Sequence, residues 1–230
     1  MKILVIGSVL CLLSTSAFAA LTRTEERRLS EAGAVIRELR DAPDGGIPGD
    51  LWQRAQCVVV IPSLKKAAFL VGGEAGSGVM SCRHGKGWSA PVFMHVAKGS
   101  FGLQIGAEEI DLVLLVMNRR GMDKLLQDKV SLGADAAVAA GPVGRSTQAA
   151  TDAQLNAEML SYSRSHGVFA GIDLSGGVLR PDSEGNAHAY GRQITAGDIV
   201  LGSRPVAMPA AAQSFVRTLA RDVTATSGRR

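Results

Sequence analysis

The sequence predicts a single α+β domain, an antiparallel β sandwich or partial barrel bracketed by an N-terminal and a C-terminal helix. Three observations predict it. Short apolar runs separated by glycine turns recur through the middle of the chain. Glycine is unusually frequent, 27 of 230 residues, and inside strands it marks bulges, bends and close backbone approach. The two ends carry apolar residues at helical rather than strand spacing.

Residues 1–19 read as a secretory signal. Lys2 supplies the charged start, Ile3 to Leu13 the apolar stretch, and Ala17-Phe18-Ala19 a small-residue cleavage site before Ala20. The apolar stretch is short of the roughly 20 residues that span a bilayer. Cleavage would leave about 210 residues, enough for one domain with a real core. An oxidising compartment, a periplasm or the cell exterior, is the expected location.

Residues 20–49 hold an amphipathic helix and a loop. Thr22 and Glu25 have the T-x-x-E spacing of a capping box. Leu29, Ala32, Ile36 and Leu39 then form one apolar stripe, with Arg28 and Arg40 on its flanks. The Gly- and Pro-dense stretch 41–49 ends the helix. Strands are expected at 57–61, ending at Pro62, then at 67–71, 78–83, 88–96, 101–107 and 110–117, with a turn at His84-Gly-Lys-Gly. A short helix is expected over 122–129. Residues 151–162 are ambiguous, and their second half leads into a hairpin through Ser165-His166-Gly167. The last element, 208–224, is a helix with Ala212, Phe215, Val216, Leu219 and Val223 on its inner stripe and Pro209 in its first turn. Residues 225–230 are expected to fray.

Composition narrows the function classes. A net charge of +4 with both signs intermixed, and an aromatic content of 4%, argue against nucleic acid. No cofactor or metal is expected, because the four histidines are scattered and no C-x-x-C occurs. No serine lies in G-x-S-x-G, and no catalytic residue is assigned. Glu108 and Glu109 point to opposite faces of a strand and cannot act as a pair. The run Gly72 to Gly78 lacks the ending of a phosphate-binding P-loop and reads as a bent strand or turn. Cys57 and Cys82 remain after the leader is removed; a disulfide and two buried thiols are both open. Gly141, Gly144 and Arg145 resemble an anion nest beside a guanidinium, with a plain tight turn as the alternative. Trp88 is expected in the core, and Trp52 is the better candidate for an interface.

Five blocks keep one order: W-S-A-P from Trp88, G-S-F-G-L-Q-I-G from Gly99, L-G-A-D from Leu132, A-G-P-V-G-R from Ala140, and S-Y-S-R-S-H-G-V-F-A-G from Ser161. Together they resemble the SYLF family, also called Ysc84 or DUF500, over residues 27–201. The resemblance implies non-catalytic lipid binding associated with an N-terminal amphipathic segment, here Arg27, Arg28, Leu29, Ile36, Arg37 and Arg40. Residues 23–40 hold five arginines against four glutamates, so net attraction to an anionic surface is small at about 1 kcal/mol per basic residue. The alternative is a stripe packed on the β core. Lys65 and Lys66 are further candidates for phosphate headgroups. Basic residues near such a position are implicated in actin binding in fungal relatives, an activity a secreted chain would not meet. The expected ligand is an anionic phospholipid surface, phosphatidylglycerol or cardiolipin in class. A protein-interaction module of the envelope is the second expectation.

Overall fold

The computed structural model describes residues 20–41, 46–69, 71–101, 106–143, 154, 156–165, 168–191 and 194–225. The expected leader, Gly144, Arg145 and residues 226–230 lie outside them.

The described elements run α1 (Arg23–Asp41), α2 (Gly49–Arg54), β1 (Cys57–Phe69), β2 (Val71–His84), β3 (Gly87–Trp88), β4 (Val92–Phe101), β5 (Gly106–Val116), α3 (Arg119–Leu125), β6 (Val130–Ser131), β7 (Val138–Ala140), β8 (Met159–Ser165), β9 (Val168–Gly171), β10 (Val178–Pro181), α4 (Ser183–Tyr190), α5 (Ala196–Leu201) and α6 (Ala210–Ala225). The strands form one curled sheet, a half-barrel, in the order β6-β10-β4-β2-β1-β5-β8-β7, with β3 paired to β2 and β9 to β8. Of the two expected architectures, the partial barrel is therefore the one adopted. One pair departs from the antiparallel expectation, since β7 runs parallel to β8.

Both faces of the sheet are buried, which explains why the central strands are apolar at successive positions. Strand side chains alternate between faces. On β1, Cys57, Val59 and Ile61 enter one core with Met80, Met94, Leu112 and Leu114, closed by Leu125 of α3 and Ile199 of α5. Val58 and Val60 enter a second core with Val79, Phe93, Val113 and Leu115. Helix α1 closes that second core with Leu29, Ala32 and Ile36, α2 with Leu51 and Trp52, and α6 with Ala212, Phe215 and Leu219.

The capping box at the start of α1 is formed. Thr22 N–H donates to Glu25 Oε2 at 2.6 Å, and Glu25 N–H to Thr22 Oγ1 at 3.4 Å. Strand β1 does not end at Pro62 as expected. Its register with both β2 and β5 slips at Pro62-Ser63 and then resumes to Phe69. A bulge tolerates the missing proline N–H, and Ser63 takes the left-handed conformation at φ 56°. The Ser63 N–H donates instead to Asp111 Oδ1 at 3.1 Å. The bulge presses on β2 so closely that a Cβ at Gly78 would lie 1.9 Å from the Val60 carbonyl oxygen. The run Gly72 to Gly78 is thus a bent strand that glycine makes passable. Cys57 and Cys82 are direct partners across β1 and β2 and are joined by a disulfide.

The expected strand 101–107 spans the end of β4 and the start of β5, with 102–105 outside the described residues. The hairpin expected beyond Ser165 is present as β8 and β9.

A basic cleft beside the first helix

Helix α1 runs across the sheet, tied at both ends by charge. Near its start, Glu25 meets His188 Nδ1 at 2.8 Å, and Arg28 donates to Asp182 Oδ2 at 2.5 Å. Near its end, Glu38 pairs with Arg164, which also donates to Asp111 at 2.8 Å. The Glu25 hydrogen bond raises the pKa of His188 against a small opposing effect of burial. Burial works against the Asp182 charge, but the Gly185 N–H, Arg28 and His95 outweigh it and hold this carboxyl below the ordinary carboxylate range.

The strands continue past α1, and there the same sheet face turns polar. Two residues beyond buried Phe93 stands His95, and two before buried Val79 stands Ser77. Arg180, His95 and Ser77 are successive cross-strand neighbours on β10, β4 and β2. One rung further out come Val178, Ala97, Ala75, Lys65 and Glu109. The bulge carries Lys65 onto this face, because Leu64 beside it enters the opposite core.

A cleft of about 590 Å³ lies over these rungs, walled by the first turns of α1. Its floor is small, Ala75, Gly76 and Ala97. Its cations are Arg27, Arg28, Lys65 and Arg180, set against the carboxylates of Glu31 and Glu109. Ser77 Oγ lies 2.8 Å from His95 Nδ1, and His95 Nε2 lies 3.1 Å from Asp182 Oδ2. This serine–histidine–acid line is not a hydrolytic triad. Ser77 sits in mid-strand rather than on a strand-to-helix elbow, and Asp182 is already committed to Arg28 and to capping α4.

The structure brings together some of the residues that sequence marked and disperses others. Arg27, Arg28 and Lys65 share the cleft. Leu29 and Ile36 do not meet solvent: they are 1% and 0% exposed. Of the two expectations for this stripe, the structure shows the packed one, in which it finds its apolar partner in the sheet. Arg37 turns the other way, into a groove between α1 and α6. The side chain of Arg40 lies outside the described residues. Lys66 points away from its neighbour Lys65 and stands 4.0 Å from Glu74.

Of the three residues of the expected anion nest, Gly141 is described. Gly141 N–H donates to the Ser161 carbonyl at 2.9 Å, so it is spent on strand pairing. Its lack of a side chain answers to Tyr162, whose ring carbon Cζ would lie 2.0 Å from a Cβ there. Gly144 and Arg145 lie outside the described residues. Trp52 is buried under the helical layer at 6% exposure and is no interfacial anchor; Trp88 is buried as expected, with Arg83 stacked on its ring at 4.5 Å.

Sequence reasoning missed Arg180, His95, Ser77 and Asp182. Nothing local marks them, since the sheet order that sets β10 beside β4 is a long-range fact. It also missed α2, α4 and α5. The last carried a readable signal, a Thr195–Asp198 capping box with Gly202 in the left-handed conformation at its end.

Comparison with known proteins shows what the chain is similar to. The family profile named Ysc84, described as "Las17-binding protein actin regulator", matches residues 97–222. SH3 domain-containing YSC84-like protein 1 of Rattus norvegicus is 34% identical over 196 residues, covering 82% of this chain and 57% of its own length. The Homo sapiens protein of the same name is 33% identical over 196 residues, covering 82% of this chain and 56% of its own. LAS seventeen-binding protein 3 of Saccharomyces cerevisiae is 36% identical over 163 residues, covering 69% of this chain and 35% of its own. The chain therefore spans little more than half the length of the mammalian relatives and about a third of the yeast one.

Proposed function

The chain belongs to the Ysc84 (SYLF) family, and from that premise we propose that it binds anionic phospholipid at a membrane surface, non-catalytically, through the cleft beside α1. One observation carries the reading: Arg27, Arg28, Lys65 and Arg180 come from three separate elements to line one open cleft. Charge of this kind attracts an anionic surface by about 1 kcal/mol per basic residue and falls off within a Debye length. Lipid contact on this reading is polar. The apolar stripe of α1 stays in the core and holds Arg27 and Arg28 in place.

The leader expected at residues 1–19 supports a cell-envelope location, periplasmic or secreted, with phosphatidylglycerol or cardiolipin as the lipid class. The words "actin regulator" and "Las17-binding" describe the family and its relatives; in that compartment actin is not the expected partner. A second reading, an interaction module with no lipid ligand, draws support from the burial of Leu29 and Ile36, which gives α1 a structural role.

Co-sedimentation of the purified protein with vesicles separates the two. The lipid reading expects binding to phosphatidylglycerol vesicles that weakens several-fold as salt rises, with none to phosphatidylcholine. Absence of binding to both would leave the interaction module.

A further inference from the structure

Among the described residues, Arg27 pairs with Glu31 at 3.8 Å and Arg28 with Asp182, whereas Lys65 and Arg180 line the cleft without an ion pair. They stand on β1 and β10, three strand intervals apart, roughly 14 Å between backbones. Long side chains rising from both walls can converge over the small floor between them. On that floor stand His95 and Ser77.

Hydrogen-bond polarity there is fixed from one end. The Asp182 carboxylate only accepts, so the His95 Nε2 facing it at 3.1 Å carries a hydrogen. In the neutral ring Nδ1 then accepts, and the Ser77 hydroxyl donates to it across 2.8 Å. With its hydrogen spent, Ser77 offers the cleft only lone pairs, the wrong polarity for an anion. A proton on Nδ1 reverses the bond. Nδ1–H donates to Ser77 Oγ, the Ser77 O–H turns outward as a donor, and the ring gains a positive charge. Arg180 on the neighbouring strand and Arg28 on the shared Asp182 oxygen both oppose that charge, while Asp182 favours it. Further out in the cleft, Arg27 and Lys65 oppose it and Glu31 and Glu109 favour it. An anion between Arg180 and Lys65 tips the balance toward the protonated ring.

We propose that the cleft is a site for one phosphate-ester anion, held between Arg180 and Lys65 with the Ser77 hydroxyl as donor, and that its occupation draws a proton from solvent onto His95. This rests on the lipid reading above and names the group recognised. The shared chemistry is a phosphodiester, whether in a lipid headgroup or free in solution.

The test is calorimetry of the full protein with soluble glycerophosphoglycerol, a diester that exchanges no proton near neutrality, in two buffers of different ionisation enthalpy. Expected are net proton uptake of up to about one per site and tighter binding at about pH 6 than at about pH 8. His95→Gln, which keeps a hydrogen-bonding side chain but takes no proton, abolishes the uptake and flattens the pH profile. Ser77→Ala weakens binding about tenfold, and thermal melts confirm that both variants fold. Binding with no buffer dependence, or uptake that survives His95→Gln, overturns the proposal. If wild-type protein sediments with anionic vesicles but ignores the soluble diester, the specific site falls and the lipid reading stands. If it binds neither, both fall.

Discussion

Two halves of one sheet face divide the labour of this molecule. Under α1 and α6, the positions facing outward are Val58, Val60, Val79, Phe93 and Val113, all buried. Beyond the edge of α1, the alternation of β2, β4 and β5 delivers Ser77, His95 and Glu109 to an open cleft, and the β1 bulge adds Lys65. The same strands run through both halves, with the β1 bulge between them, and the cover changes. Where a helix lies on the sheet the occupants are apolar and hold the fold together. Where the cover stops they are polar or charged and line the cleft. A substitution should therefore cost stability in one half and binding in the other.

The largest effect is expected from a charge placed under the helix. Leu29→Glu together with Ile36→Glu puts two carboxylates where solvent does not reach. Each burial lost is worth about 1.5–3 kcal/mol before the charges are counted. Denaturant titration should show at least about 3 kcal/mol of destabilisation. A fully stable double variant would mean that α1 is not docked as described.

Next comes the disulfide. Cys57→Ser with Cys82→Ser removes a bridge closing a sequence separation of 25 residues and should cost about 2–4 kcal/mol. Peptide mass mapping without reductant should find one linked pair; two free thiols would refute the bridge.

Asp182→Asn sharpens the boundary between the halves, since Asp182 both caps α4 and anchors Arg28. A loss of about 1–3 kcal/mol is expected near neutral pH. Because the folded-state pKa of Asp182 is lowered, its contribution is present above the unfolded carboxylate value near about 4 and is lost as pH falls through the lower folded value. Wild type and variant should therefore converge in acid. Divergence that persists there would show that ionisation is not what matters.

His188 has the opposite sign and a smaller effect. Its raised pKa means that the Glu25 tie is fully present below the unfolded histidine value of about 6.5 and fades as pH rises through the folded one. His188→Gln should lower the melting temperature slightly at about pH 5.5 and not at about pH 9. A shift found only at the alkaline end would contradict the assignment.

The elements legible in sequence are those whose signal is local. Helix α1 has its cap and its stripe within one stretch, and both are present as read. Helix α4 was illegible because its anchor is not an apolar stripe. Asn186 exchanges hydrogen bonds with the backbone of Phe93, which donates to Asn186 Oδ1 at 2.8 Å and accepts from Nδ2 at 3.2 Å. Pro62 misleads as a strand end, since a bulge in β1, felt in its pairing with both β2 and β5, absorbs it. The disulfide was open because only the β1–β2 register sets Cys57 opposite Cys82. Of the cleft, the family resemblance pointed to Arg27 and Arg28, and the basic doublet to Lys65. Arg180 and His95 join them only through sheet order, which no local pattern encodes.

The most direct measurement is vesicle co-sedimentation of Lys65→Glu/Arg180→Glu beside wild type, with thermal melts on the same samples. Both side chains are exposed, so the melting temperature should stay close to that of wild type, while binding to phosphatidylglycerol vesicles falls by at least about tenfold. A variant that melts normally and still sediments as wild type does would contradict a lipid-binding role for the cleft.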